Sequence, residues 1–100
     1  MSHTEATPNV KQAQKVETPR QYAVVLFNDD FTPMGFVVQL LQYVFAMDLA
    51  QASTVMLEVH EQGQAVAGTF PREIAETKVT QALRIAAHFG HPFHCEARPV

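Results

Sequence analysis

Tyr22-Ala-Val-Val-Leu-Phe27, followed at once by Asn28-Asp29-Asp30, is the stretch that decides the fold. Its first six residues are β-branched, aromatic or small and apolar, a composition that favours a β-strand. Pro19 lies before the run and the polar triplet lies after it, so both ends of the strand are marked. Because the run carries no charge, we expect the strand to be largely buried.

Two helices are predicted after the triplet. Thr32 can cap the first, and Pro33 fits its first position, where a missing N–H costs nothing. Asp48 can cap the second, with Gln51 as its capping-box partner and Gly63 as its C-terminal stop. The apolar stripes are Val37, Leu41, Val44 and Phe45 in the first helix, and Ala52, Val55, Met56 and Val59 in the second.

A short strand, a third helix and a last strand complete the chain. The strand over 65–70 is weakened by Gly68, Pro71 begins the helix, and Gly90 with Pro92 ends it. The last strand is expected over 93–97. The third helix has the cleanest apolar stripe of the chain, made of Ala75, Val79, Ala82, Leu83 and Ala86. The order β-α-α-β-α-β predicts a two-layer α+β fold with the helices on one face of the sheet.

Composition and charge narrow the function. The chain has 100 residues and a formal net charge of −3. Residues 1–20 contain three basic and two acidic residues and show neither helical nor strand periodicity, so we expect them to be a flexible tail. Residues 21–100 contain four basic and eight acidic residues and are expected to form the core domain. The net negative charge of this domain repels the phosphate backbone, which argues against nucleic-acid binding. A lone Cys95 and the lack of an apolar signal or membrane-spanning stretch indicate a cytoplasmic protein.

Asn28-Asp29-Asp30 has two interpretations. Asn and Asp favour turns because they bond their own backbone, and a turn is the simpler one. However, adjacent carboxylates repel each other, and Phe31, Met34 and Phe36 place apolar surface around the triplet. Oxygen acceptors beside apolar walls suit an ammonium group that carries an apolar side chain. General acid–base chemistry needs further partners that the neighbouring sequence lacks, so no catalytic residue is predicted.

The histidines also allow more than one interpretation. His60 shares a helix face with Met56, where it is either satisfied by the backbone or accepts a hydrogen bond from a ligand. His88, His91, His94 and Cys95 have the chemistry of zinc or copper ligands. Gly90 and Pro92 interrupt that set, and strand alternation directs His94 and Cys95 to opposite faces, which argues against a metal site. Glu73, Glu76 and Lys78 are by default a solvated helix face.

Four blocks of the sequence together resemble the ClpS family, the adaptors of the Clp protease. They are Asn28-Asp29-Asp30-Phe31-Thr32-Pro33-Met34 with Phe36-Val37, Met56-Leu57-Glu58-Val59-His60 with Gln62-Gly63, Ala75-Glu76-Thr77-Lys78-Val79, and His91-Pro92. The resemblance spans about residues 20–97 and implies a three-stranded antiparallel sheet packed on three helices. It further implies a cofactor-free adaptor that binds proteins with a free N-terminal Leu, Phe, Tyr or Trp. Such an adaptor is a non-enzymatic monomer that delivers these substrates to the N-terminal domain of the ClpA ATPase, or a ClpC-like one, for degradation by ClpP.

The resemblance also implies roles for individual residues. Asn28 and His60, assisted by Asp29, would bind the substrate's α-ammonium, and Asp30 would shape the loop. Met34 would exclude β-branched side chains, and Glu73, Glu76 and Lys78 would face ClpA. The implied side-chain pocket consists of Thr32, Pro33, Met34, Val37, Met56, Val59 and Phe93.

Three residues depart from the usual family pattern. Gly35 removes a capping partner for Thr32, Phe93 replaces a common aliphatic residue on the pocket floor, and His94 is unusual beside Cys95. Two other function classes stay open on the sequence. They are a protein-interaction module without N-terminal specificity and a metal-binding domain built on the His/Cys set.

Overall fold

The computed structural model describes residues 19–100 and contains three strands and three helices there. In chain order they are β1 (Gln21–Phe27), α1 (Met34–Phe45), α2 (Leu49–Gln62), β2 (Gln64–Pro71), α3 (Arg72–His88) and β3 (His94–Pro99). The predicted order β-α-α-β-α-β and the α+β class are confirmed. The predicted tail falls almost wholly on residues 1–18, outside the described residues.

The strand before the polar triplet is the centre of the sheet. β1 pairs antiparallel with β2 on one side and with β3 on the other, giving the order β2-β1-β3. The register against β2 shifts between Val24 and Val25, which marks a bulge. Gly68 lies beside it, where an added Cβ would meet the Phe70 ring at 2.9 Å. A larger residue at position 68 would therefore require the Phe70 ring to shift.

The core lies between one face of the sheet and the three helices. Val24 and Leu26 of β1 are fully buried, and Ala65 and Cys95 flank Leu26 on the neighbouring strands. Burial raises the pKa of the Cys95 thiol to about 12, so the thiolate is scarce at neutral pH. The helices bury their predicted stripes here, including Val37, Leu41, Val44, Ala52, Val59, Ala75, Ala82 and Ala86.

Local chemistry explains the ends of α2. The Asp48 side chain accepts a hydrogen bond from the Gln51 backbone N–H at 2.8 Å, as predicted for its cap. Gly63 ends the helix with φ of 89°, a left-handed conformation that favours glycine, and its N–H donates to the Val59 carbonyl.

The predicted start of α1 is wrong by one residue. Pro33, with an extended ψ of 140°, is the N-cap, and no side chain caps the helix. Thr32 lies one residue before the N-cap, and its hydroxyl and its N–H both donate to Asp29 in the preceding loop. Similarly, β3 begins at His94 rather than Phe93 and continues to Pro99, which pairs with Tyr22.

Gly35 lies in the first turn of α1, and nothing approaches within 4 Å of the position where its Cβ would be. Gly35→Ala is therefore expected to raise the free energy of unfolding by about 0.4–1 kcal/mol, because alanine loses less backbone entropy on folding. Denaturant unfolding measures the change. Gly63→Ala is the opposite control, since its positive φ predicts a loss; a destabilised Gly35→Ala protein would contradict the expectation.

No helix among residues 19–100 combines the length and the apolar character that crossing a bilayer requires.

Candidate functional site

A small pocket lies where β1 ends, between the beginning of α1 and the end of α2. Its volume is about 20 Å³, room for roughly one water molecule. It is lined by Phe27, Asn28, Asp29, Thr32, Met34, Val37, Met56, Val59, His60 and Phe93. The sequence predicts nine of these ten residues, and the fold brings together positions as distant along the chain as Asn28 and Phe93.

The backbone of the triplet is anchored to the end of α2. The Asn28 N–H donates to the Gly63 carbonyl at 2.9 Å, so the loop starts at the C-cap of the helix that carries His60. A left-handed glycine at that cap directs the carbonyl towards the loop. The strand end and the last turn of α2 are thereby held side by side.

Asp29 organises the rest of the loop. Its carboxylate accepts hydrogen bonds from the N–H of Phe31 at 2.8 Å, from the N–H of Thr32 at 2.7 Å and from the Thr32 hydroxyl at 2.8 Å. Partial burial raises the pKa of this carboxyl, but these hydrogen bonds and the nearby His91 outweigh burial and lower its pKa below the usual value. Asp29 thus bonds its own backbone as the turn interpretation expects, and the same turn forms one wall of the pocket.

Two polar side chains at the pocket have no hydrogen-bond partner among residues 19–100. They are the amide of Asn28 and the imidazole of His60, both of which are exposed. Their acceptor atoms are available to a ligand that donates hydrogen bonds. A cationic donor would also lie close to the carboxylate of Asp29.

The deeper wall is apolar. Val37, Val59 and Phe93 are buried, Met56 is half-buried, and Met34 is 48 % exposed at the entrance. A volume of about 20 Å³ does not hold a large side chain, so a bulky ligand requires these walls to move. Methionine has three rotatable bonds and adapts readily to its surroundings, so the side chains of Met34 and Met56 are the wall residues best able to change conformation.

Two residues differ from their expected place. Pro33 is exposed and does not line the pocket, although it belongs to the loop that shapes it, whereas Asp30 lies exposed in that loop, where it was expected. Phe27 lines the pocket and was missed. The available signal was its position, since it is the last residue of β1 and directly precedes Asn28.

The four candidate metal ligands do not converge. Cys95 is buried in the core, whereas His94 is exposed and stacks on Phe27 with 5.8 Å between ring centroids. His91 packs edge-on against Phe36 at 4.4 Å, and His88 packs against Phe89 at 5.0 Å. No group of three or more His, Cys, Asp or Glu residues within 19–100 is arranged to hold a metal ion.

The expectation of a solvated face for Glu73, Glu76 and Lys78 is wrong for Lys78. The two glutamates are exposed on α3 beside a groove of about 730 Å³. Lys78 is half-buried, and its ammonium donates to the carbonyl of Val44 at 3.0 Å. It also lies 5.7 Å from the ring centre of Phe45 and 5.3 Å from that of Phe70. The lysine therefore joins the end of α1 to α3 and β2.

Lys78→Met is expected to lower the free energy of unfolding by about 1–2 kcal/mol, because methionine keeps most of the packing but loses the charged hydrogen bond and the cation–π contacts. Urea unfolding measures the loss. Glu73→Gln on the exposed face of the same helix is the matched control and should change stability by less than about 0.5 kcal/mol. Equal stability of the wild type and Lys78→Met would show that these contacts contribute nothing.

Together, the fold and the pocket define a class of protein: a small α+β binding module with hydrogen-bond acceptors at the mouth of its pocket and apolar walls behind them. The family model of the ATP-dependent Clp protease adaptor protein ClpS matches residues 17–96. The chain belongs to the ClpS family, which is a family of adaptor proteins of the Clp protease and not of catalysts.

Relatives support this assignment over most of the chain. The ClpS adapter of Hydrogenovibrio crunogenus is 50 % identical over 86 residues, covering 86 % of this chain and 83 % of the relative. That of Leptothrix cholodnii is 49 % identical over 85 residues, covering 85 % and 74 %. That of Herminiimonas arsenicoxydans is 43 % identical over 95 residues, covering 95 % and 93 %.

A solved structure shares the fold. Agrobacterium tumefaciens ClpS2 bound to L-phenylalaninamide superimposes with a TM-score of 0.81 and 37 % identity, covering 83 % of this chain and all of the other. L-phenylalaninamide has a free α-amino group and an amide in place of its carboxyl group, as the first residue of a peptide has. The ligand of that relative thus combines an ammonium group with a bulky apolar side chain.

Proposed function

We propose that this protein binds substrate proteins through a free N-terminal Leu, Phe, Tyr or Trp and delivers them to the ClpA ATPase for degradation by ClpP. The observation that carries the proposal is the pocket. It places the amide of Asn28 and the imidazole of His60 at the edge of an apolar recess, in a chain of the ClpS family.

The polar edge receives the α-ammonium group. The α-amino group of a peptide has a pKa near 8 and is mostly cationic at neutral pH, so it needs acceptors once it leaves water. Asn28 and His60 accept its hydrogen bonds directly. Both oxygens of Asp29 already accept bonds within the loop, so its charge acts at longer range or through a bridging water. Asp30 adds a second negative charge outside the pocket.

The apolar recess receives the first side chain of the substrate. Val37, Val59 and Phe93 form its fixed part, and Met34 and Met56 move to admit the side chain. Thr32 and Pro33 hold the loop from which Met34 projects. We propose that Met34, exposed at the entrance, meets the Cβ of the substrate residue and thereby excludes a β-branched isoleucine or valine.

Neither half of the site suffices alone. Burial of a Leu or Phe side chain contributes roughly 1.5–3 kcal/mol. An acceptor left without its donor costs about 1–3 kcal/mol. Because the two contributions are similar, the site selects peptides that present both features.

The ATPase side of the adaptor is the exposed face of α3. Glu73 and Glu76 offer carboxylates on that face, and we propose that they contact the N-terminal domain of ClpA or a ClpC-like ATPase. Lys78 supports the surface indirectly through its contacts with α1 and β2. The adaptor is expected to act as a monomer.

Fluorescence anisotropy with a matched pair of peptides tests the proposal. A labelled peptide that begins with a free phenylalanine is expected to bind, and acetylation of its α-amino group should weaken binding by about ten- to a hundred-fold, because the acceptors lose their partner. A peptide with an internal phenylalanine and an N-terminal glycine is the control for general stickiness. Equal affinity for the free and acetylated peptides would favour an interaction module without N-terminal specificity.

A further inference from the structure

The first turn of α1 is held weakly by its own bonds, although it carries Met34 at the entrance of the pocket. No side chain caps this helix, and its first turn contains no acidic residue. The carbonyl of Pro33 accepts from the N–H of Phe36 at 3.1 Å and from that of Val37 at 3.2 Å, so one acceptor serves two donors. Gly35 lies in the same turn, and glycine is a weak helix former. The position of Met34 therefore depends on contacts from outside the helix.

Phe36 links that turn to the connection between α3 and β3. Its half-buried ring packs edge-on against the ring of His91, with 4.4 Å between centroids, and against that of Phe89, with 5.8 Å. His91 is half-buried, whereas Phe89 is 61 % exposed. Edge-to-face packing is a favourable arrangement of aromatic rings, and it stabilises more when the rings are close and shielded from water. His91 is thus the stronger of the two aromatic contacts of Phe36.

The end of α3 fixes where the His91 ring lies. Gly90 has a φ of 76°, a left-handed conformation that favours glycine, and its N–H donates to the carbonyl of Ala87 at 3.0 Å. The N–H of His91 donates to the carbonyl of Ala86 at 2.9 Å, and Ala86 is buried in the core. Such bonds to the last turn are typical of helices that end at a left-handed glycine. The backbone from which the His91 ring projects is therefore firmly held.

His91 also lies close to the loop and to the floor of the pocket. It is one of the groups that lower the pKa of Asp29, the residue that organises the loop. Phe93, two residues after His91, lines the floor. The ring is therefore well placed to hold the start of α1 relative to the other walls of the pocket.

We propose that the His91 ring is a positioning residue for the pocket entrance: it holds Phe36, and with it the first turn of α1, so that Met34 keeps its place. His91 does not itself line the pocket. Loss of the ring lets the turn shift and admits the β-branched side chains that Met34 otherwise excludes. That consequence rests on the proposed function, whereas the support of α1 by His91 does not.

Amide hydrogen exchange without any peptide tests the support of α1. In His91→Ala the amide of Val37 is expected to exchange about two- to tenfold faster than in the wild type, because the turn loses an aromatic contact and opens more often. The N–H of Ala52 donates to the carbonyl of Asp48 at the start of α2, so Ala52 is the internal control and should keep its rate. An unchanged rate at Val37, or an equal increase at both amides, would overturn the proposal.

His91→Phe separates the ring from its charge. It keeps an aromatic ring against Phe36, so the amide of Val37 should exchange at about the wild-type rate. If His91→Phe accelerates exchange as much as His91→Ala does, the imidazole acts through its charge near Asp29 and not through packing, which overturns the proposal.

His88→Ala is the matched control. His88 is an exposed histidine at the same end of α3, and its ring packs against Phe89 with 5.0 Å between centroids. Its removal should leave the exchange rate of Val37 unchanged. Acceleration equal to that in His91→Ala would mean that general loosening of this helix end is sufficient, and would remove the specific role of His91.

Selectivity for the first residue links the support of α1 to the proposed function. The wild type should bind a peptide that begins with leucine more tightly than one that begins with isoleucine, and His91→Ala should reduce this ratio of affinities by about two- to tenfold, because the displaced Met34 no longer meets the branched Cβ. The ratio between free and acetylated phenylalanine peptides depends on Asn28 and His60, outside α1, and should not change.

The two measurements fail separately. A wild type that binds no peptide through its N-terminus refutes the proposed function, and the exchange rates then still decide whether His91 supports α1. Faster exchange at Val37 with an unchanged ratio between leucine and isoleucine would overturn the link to Met34. A fall in both affinity ratios would show a general loss of the pocket and would overturn the positioning role.

Discussion

Asp29→Ala is expected to lower the free energy of unfolding by about 2–3 kcal/mol, because this carboxylate accepts three hydrogen bonds and each contributes about 0.5–1.5 kcal/mol in a loop that is partly exposed to water. The same change should weaken binding of a peptide with a free N-terminal phenylalanine by more than about tenfold, since the loop that holds Met34 and Asn28 loses its internal support. Chemical denaturation and fluorescence anisotropy measure the two effects.

Two variants of the same loop serve as controls. Thr32→Val removes only the hydroxyl hydrogen bond, so it should lower the free energy of unfolding by about a third as much as Asp29→Ala does. Asp30→Ala removes the adjacent, exposed carboxylate and should change stability by less than about 0.5 kcal/mol. If Asp30→Ala weakens the protein as much as Asp29→Ala does, the effect comes from charge in general and not from the hydrogen bonds of the loop.

The pH dependence has a definite sign. The pKa of Asp29 is lower in the folded protein than in the unfolded chain, so its contribution to stability is complete above the unfolded value of about 4 and is lost as the pH falls through the lower folded value. Asp29→Asn should therefore flatten the decline of stability below about pH 4. An identical acid decline in the two proteins would assign that decline to other carboxyl groups.

Local chemistry made much of the fold predictable. The cap at Asp48 and the stop at Gly63 depend only on neighbours in the sequence, and both are confirmed. The strand predicted over residues 22–27 is confirmed, because its β-branched and aromatic composition strongly favours a buried β-strand. Its central place between β2 and β3 was not predictable from residues alone, since strand order depends on contacts between distant segments.

Where a side chain has two possible hydrogen-bond partners, the sequence does not show which of them it binds. Thr32 was expected to cap α1, yet it lies one residue before the N-cap and its hydroxyl donates to the carboxylate of Asp29, a bond that the charge of the acceptor strengthens. Lys78 was expected in solvent because a charged residue on a helix is solvated by default. Its partner is the carbonyl of Val44, 34 residues away, which no local pattern reveals.

The sequence predicts which residues line the pocket, but it does not predict the pocket's volume or shape. Nine of the ten lining residues follow from the triplet, from the face of α2 around Met56 and His60, and from the family resemblance. The volume of about 20 Å³ depends on how side chains pack, and packing is decided by the whole core. Which side chains the pocket prefers is therefore a question about its walls, and in particular about its floor.

Phe93 forms that floor, and its replacement is expected to change both stability and specificity. It is 5 % exposed, lines the pocket and directly precedes β3. Phe93→Ala should lower the free energy of unfolding by about 3–5 kcal/mol, which is a large share of the roughly 5–15 kcal/mol of a typical domain. Phe93→Leu removes less volume, so it keeps the fold while it deepens the recess.

The deeper recess should favour the largest side chains. We expect Phe93→Leu to raise the affinity for a peptide that begins with tryptophan, relative to one that begins with leucine, by about tenfold, because differences of one or two methylene groups in a pocket contribute about 1–3 kcal/mol. Anisotropy titrations with peptides that differ only in the first residue give this ratio. Val44→Ala, in the same core but outside the pocket, is the control for lost stability. If Val44→Ala shifts the ratio as much as Phe93→Leu does, general loosening of the core sets the preference; if only Phe93→Leu shifts it, the aromatic floor limits which N-terminal residues this adaptor accepts.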